Sequence, residues 1–167
     1  EVVNTDNKVL ADKTELTQTV GATFQLNTVA LPSSGVVNAT YASSDETIAT
    51  VDAAGLVTFL NKAGTVSITI TNGGITKTII FTVKNPATGI TSAEDTLELG
   101  IADAFKDMTV TVTPADATST FKVTIADDNI CSAEFVGGKL VVVPNGIGTT
   151  TIQIVSEDNE EVALTIT

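Results

Sequence analysis

Residues 41–70 read YASSDETIATVDAAGLVTFLNKAGTVSITI. The segment parses as four short strands in quick succession. Asn38 to Ser43 alternates, so a half-buried strand there places the Tyr41 ring in the core. Ser43-Ser44-Asp45-Glu46 is a polar turn whose side chains can bond nearby backbone amides. Thr47 to Val51 is the next strand. Asp52-Ala53-Ala54-Gly55 is a tight turn ending on a residue that tolerates positive φ. Leu56 to Leu60 follows, and Asn61-Lys62-Ala63-Gly64 turns the chain again. Val66, Ile68 and Ile70 then alternate with Thr65, Ser67, Thr69 and Thr71, the clearest period of two in the chain.

Upstream, Thr14–Val20 and Ala22–Ala30 read as strands separated by Gly21, with Leu31 to Gly35 as the loop leading to Tyr41. Downstream, Asn72-Gly73-Gly74 is a hairpin signal. Ile75 to Lys84 then closes the domain, with Ile79, Phe81 and Val83 on one face. Pro86, within Lys84-Asn85-Pro86-Ala87, ends the ladder and makes a short, stiff boundary, which predicts restricted bending there.

A worn copy of the segment recurs about 83 residues on, a spacing that marks an internal repeat. Val123 falls where Tyr41 stood, and Ala126 to Ile130 mirrors Ser44 to Ile48. Gly137-Gly138 replaces the Gly55 turn, and Pro144 to Gly148 replaces Asn61 to Gly64. Thr150, Ile152 and Ile154 match Val66, Ile68 and Ile70. Glu157 to Glu160 stands in for the Asn72 hairpin, and Val162, Leu164 and Ile166 for the last strand. Ala49-Thr50-Val51 has become Cys131-Ser132-Ala133, so spacing carries the copy more than identity does. The predicted organisation is an N-terminal linker or edge strand over 1–13, a first domain over 14–85 and a second over 86–167, all-β throughout. Val2-Val3 and Val9-Leu10 make the first segment an edge strand for its own domain or for a neighbouring copy, which would give self-association.

The quoted segment resembles the bacterial immunoglobulin-like domain of the group 2 type. The residues that carry the resemblance are Tyr41, Ser43-Ser44-Asp45, Ile48-Ala49-Thr50-Val51-Asp52, Gly55-Leu56-Val57 and Gly64-Thr65-Val66. Many members have Trp where this chain has Tyr41. The resemblance implies two tandem immunoglobulin-like β-sandwiches, the second degenerate, in a non-enzymatic extracellular or cell-surface protein used for adhesion or spacing. Its partner would be a protein or a surface polymer. Similar domains are also appended to bacteriophage capsid and tail proteins, which implies a virion component as the alternative. A third implied role is an accessory module of a secreted carbohydrate-active enzyme.

Composition narrows the chemistry. The formal charge is −12, with neither arginine nor histidine, which disfavours phosphate backbones and anionic membranes as partners. Residues 1–86 hold seven acids and five lysines, whereas 87–167 hold thirteen acids and three lysines. Surface solvation accounts for that excess. No apolar run approaches the roughly 20 residues of a membrane span. Cys131 is the single cysteine, which excludes an internal disulfide and reads as a small buried hydrophobe. The chain begins at Glu1 rather than Met, which leaves room for an upstream segment or a removed leader.

Without histidine, the ordinary base for activating a nucleophile is missing. Asp45-Glu46 and Asp127-Asp128 are adjacent carboxylates, but turn chemistry explains both pairs, so no catalytic residue is assigned. No cofactor is expected. A calcium site would have to draw on Asp127, Asp128, Glu157 and Asp158, with Glu160 and Glu161 beside them. None of these has regular calcium-loop spacing, and solvated loop charge is the reading taken. Sugar recognition lacks Trp, and Phe24, Phe59, Phe81, Phe105, Phe121 and Phe135 fall mostly on strands where burial is the default.

Overall fold

A chain rich in threonine and β-branched aliphatics satisfies its backbone by strand pairing. The computed structural model describes residues 1–3, 9–29 and 37–167, and among these there are strands and no helix. The expected loop over 31–35 lies outside the described residues. The chain divides into two units, Glu1–Asn85 and Pro86–Thr167.

The first unit contains β1 (Val2–Val3), β2 (Val9–Leu10), β3 (Thr14–Thr19), β4 (Thr23–Gln25), β5 (Asn27–Thr28), β6 (Thr40–Ser43), β7 (Ala49–Val51), β8 (Leu56–Phe59), β9 (Gly64–Asn72) and β10 (Ile75–Lys84). Its main sheet runs β3-β10-β9-β6 and faces a second sheet, β4-β8-β7. The alternation read in β9 and β10 holds: Val66, Ile68, Ile70, Ile79, Phe81 and Val83 are all buried, and they meet Val57 and Phe59 from the opposite sheet. Gly73 and Gly74 take φ of 57° and 84°, the positive values that a two-residue hairpin needs. β3 joins β10 in parallel, from Thr14 beside Ile79 to Thr19 beside Lys84.

Several expectations shift in detail. Ala22–Ala30 is not one strand. It breaks at Leu26, fully buried, whose N–H donates to the Gly55 carbonyl at 2.9 Å. β4 therefore stays in the second sheet, while β5 pairs with β1 in a third, β2-β1-β5. The strand expected from Thr47 starts at Ala49, because the Ile48 and Ala49 N–H groups both donate to the Asp45 carbonyl at 3.1 Å. Tyr41 is half-buried at the edge of the core instead of inside it. Its hydroxyl stays within 3.0 Å of Thr28 Oγ1, and a phenol with a polar partner settles at such a margin. Gly55, at φ 83°, leaves room for that ring: a Cβ there would stand 2.3 Å from the Leu26 carbonyl oxygen and 2.9 Å from Tyr41 Cζ.

Val2-Val3 and Val9-Leu10 are seated on their own unit. Val2 pairs with Leu10 and Thr28, and Val3 with Val9 and Asn27. The Val2, Val3 and Leu10 side chains are buried.

The second unit contains β11 (Gly89–Ser92), β12 (Lys106–Thr113), β13 (Phe121–Ile125), β14 (Cys131–Val136), β15 (Lys139–Pro144), β16 (Ile152–Ser156) and β17 (Ala163–Ile166). Its sheets are β11-β12-β15-β14 and β13-β16-β17. Met108, Val110, Leu140, Val142, Ile152, Ile154 and Ile166 form its core, and Cys131 is buried beside them. Details of the first unit recur. Tyr41 pairs with Ile70, and Val123 with Ile154. The Ser44 N–H donates to the Ser67 carbonyl, and the Ala126 N–H to that of Thr151. A Cβ on Gly64 would come within 2.9 Å of Ile48 Cδ1, and one on Gly148 within 2.7 Å of Ile130 Cδ1. Phe105 departs from the expected burial: it precedes β12 and is 59% exposed.

Two stability measurements follow from this packing. Phe81→Ala is expected to cost about 3–5 kcal/mol in urea denaturation of the first unit, and Tyr41→Ala distinctly less, since its ring is only half-buried. Equal costs would place Tyr41 deeper than it lies here. Removing residues 1–10 takes three buried apolar side chains with it. At roughly 1.5–3 kcal/mol each, the loss should lower the first transition by several kcal/mol. An unchanged transition would contradict the docking of β1 and β2.

Candidate functional site

The turn Ser43 to Thr47 is held almost entirely by its own side chains. Ser43 Oγ donates to the Ala49 carbonyl at 2.7 Å, and Ser44 Oγ accepts from the Ser67 N–H at 2.9 Å. Asp45 Oδ1 accepts from the Thr47 N–H at 2.8 Å and from the Thr47 hydroxyl at 2.5 Å. Lys62 Nζ donates to Thr47 Oγ1 at 2.7 Å and reaches Asp45 Oδ2 at 3.5 Å. The Thr47 hydroxyl first, then its N–H and the Lys62 charge, hold the Asp45 carboxyl below its ordinary value of 3.8. Asp52 does the same work in the next turn, accepting at Oδ1 from the N–H groups of Ala54 and Leu56, both at 2.9 Å. These aspartates are engaged as turn acceptors, the use the sequence assigned to them.

In the second unit Asp127 repeats the pattern. Its Oδ1 accepts from the Asn129 N–H at 3.0 Å and from Asn129 Nδ2 at 2.9 Å, while the Asp128 carbonyl accepts from Asn145 Nδ2 at 2.8 Å. Glu157 accepts from the Thr120 hydroxyl, and Asp158 follows it in the turn after β16. The four calcium candidates are thus divided between two ends of one ladder. Asp127 and Asp128 lie beyond the Ile125–Ile152 pair, and Glu157 and Asp158 beyond the Phe121–Ser156 pair. Five residues of strand separate the ends, on the order of 13 Å at strand rise, too far for one cation. Among the described residues no three acids, cysteines or histidines converge on a point. Asp107 forms a surface ion pair with Lys139 at 2.5 Å, and that lysine holds its carboxyl below the ordinary value.

The second unit also carries a cleft of about 480 Å³ that sequence reading did not foresee. Leu97, Leu99, Ile130, Cys131, Thr150 and Ile166 are among the residues that line it. Burial first, and the Asp127 charge second, push the Cys131 thiol above its ordinary value, so it stays neutral.

Residues 24–74 match the family model described as "Intimin, immunoglobulin-like domain". This stretch is a bacterial immunoglobulin-like domain. The match runs from Phe24 in β4 to Gly74 in the β9–β10 hairpin, so the immunoglobulin-like sandwich includes every turn described above for the first unit. No curated protein matches the chain. Among solved structures it is similar to the S-layer protein SbsC, at 22% identity over 86% of this chain and 22% of that one, TM-score 0.38. The chain therefore spans about a fifth of that S-layer structure. A fragment of SbsC domains 4 and 5 gives 19% identity over 99% of this chain and 96% of that one, TM-score 0.38. An I-band fragment of titin gives 14% identity over 99% and 63%, TM-score 0.45. At these scores no functional property is carried over from them. No helix among the described residues is long and apolar enough to cross a membrane.

The lowered carboxylates fix the sign of a pH effect. Asp45 and Asp107 both have folded-state values below 3.8. Their contribution is complete above the ordinary carboxylate value and is lost as pH falls through the lowered ones. Asp45→Asn should therefore flatten the acid limb of the first unit's melting temperature against pH, and Asp107→Asn that of the second. A profile with the same acid limb in both variants would show that neither carboxylate is engaged in solution.

Proposed function

We propose that this chain is a non-enzymatic surface module, serving adhesion or spacing outside the cell, and that its second unit is a degenerate copy of the first. The observation that carries the reading is the bacterial immunoglobulin-like domain at residues 24–74. Two features support it. The Asp45 and Asp127 carboxylates are engaged as turn acceptors, and the two units share the Ile–Gly contact and the strand pairs described above. The partner is a protein or a surface polymer. Nucleic acid is disfavoured by the charge of −12. No cofactor belongs to this reading, and millimolar calcium or a chelator should leave both melting transitions in place.

Surface display is directly measurable. Antibodies against the folded chain should label intact, unpermeabilised producing cells, and external protease should remove the signal. Antigen that appears only after lysis would overturn the reading. Antigen that co-purifies with particles would move it to a virion surface.

A further inference from the structure

In the second unit, β14 ends the order β11-β12-β15-β14 and pairs with β15 from Cys131–Pro144 to Val136–Lys139. The parity of that ladder fixes which backbone groups point away from it. The Asn145 N–H donates to the Ile130 carbonyl at 2.8 Å, so Ser132, Glu134 and Val136 also turn their N–H and C=O groups to β15. Cys131, Ala133 and Phe135 turn theirs to the open side, and no hydrogen bond reaches those groups from the described residues. The side chains of these three pack on the core, while those of Ser132, Glu134 and Val136 are exposed.

The first unit closes the corresponding edge. Its strand β7 has three residues, the Ala49 N–H donates to the Asp45 carbonyl at 3.1 Å, and the Ala49 carbonyl accepts from Ser43 Oγ at 2.7 Å. Ser43 pairs with Ile68 there. The residue placed likewise in the second unit is Ile125, paired with Ile152, and it has no hydroxyl to donate. β14 runs for six residues without such a cap.

We infer that β14 is a docking edge for an extended segment of a protein partner, added antiparallel to it as a further strand. Charge selects the occupant. Glu134 is exposed on the strand, Asp127 and Asp128 stand in the turn before it, and Lys139, opposite Val136, is tied to Asp107. The solvent face of the incoming strand is therefore basic. Its other face lies beside Ala133 and Phe135, whose ring meets Phe121 at 5.4 Å, and is apolar. The segment thus alternates apolar and basic residues along the length of β14. A second copy of the chain fits this edge poorly, since residues 87–167 hold thirteen acids to three lysines and like charges would meet. The neighbouring edge strand β13 carries the exposed Lys122, which turns the same basic strand away from it. The interface goes beyond the surface reading and does not depend on where the protein is displayed.

The probe is the synthetic peptide Thr-Val-Lys-Val-Lys-Val-Thr. Residues opposite one another in an antiparallel pair share a face, so its valine N–H groups bond to β14 and its lysine N–H groups point away. In the free full chain, the Ala133 and Phe135 amides should exchange with deuterium much faster than those of Glu134 and Val136. The peptide should slow the first two saturably. Methylating its valine backbone nitrogens should abolish the effect, and methylating its lysine backbone nitrogens should not. Glu134→Lys, at an exposed position, should weaken the lysine peptide several fold and favour one with glutamate in place of lysine. Ala133→Pro removes one outward N–H and no bond to β15, so the second unit's melting transition should persist while binding is lost. Should that variant unfold, Glu134→Lys and the methylated peptides still decide the matter. No saturable slowing at millimolar peptide, or equal binding by the valine-methylated peptide, would overturn the proposal. So would Ala133 and Phe135 amides that already exchange as slowly as Glu134 in the free monomer. A dimer that protects these amides and releases them on dilution would also overturn it, because the edge would then belong to a second copy.

Discussion

Three aromatic rings meet where the two layers of the first unit pack together. Phe81, on the central strand β10, meets Phe24 at 5.3 Å and Phe59 at 5.1 Å, both edge to face. Phe24 and Phe59 belong to the opposite sheet, so the Phe81 ring contacts both aromatic side chains across the two layers. Edge-to-face pairs add to the area they bury, because the positive edge of one ring meets the negative face of another. Phe81 can do this only because β10 is paired on both sides, antiparallel to β9 and parallel to β3, which fixes the direction of its side chain.

The second unit solves the same problem differently. Its aromatic contact, Phe121 against Phe135 at 5.4 Å, joins β13 to β14. Its core is centred on Leu140 and Ile154, both fully buried.

The turns show how the same backbone need is met by different residues. Asp45 with Thr47 and Asp127 with Asn129 both fold a carboxylate back onto the N–H two residues on. Ile48 and Ile130 both lie against a glycine with no room for a Cβ. Different residues thus supply the same donor and acceptor positions in the two units.

The sequence alone determined the all-β class, the hairpin at Gly73-Gly74, the inward face of β9 and β10 and the polar turns, since each depends on neighbours a few residues apart. It also carried the bacterial immunoglobulin-like reading of the quoted segment. Tertiary structure decided the rest. Whether residues 1–10 dock depended on a free edge at Asn27–Thr28, which exists only because Leu26 turns away to bond Gly55. The margin position of Tyr41 depended on Thr28 and Gly55, brought to it from other strands. The division of Asp127 and Asp128 from Glu157 and Asp158 depended on ladder register. A period of two says which residues share a face of a strand. It carries no information about which strand lies beside it, or about where that pairing stops.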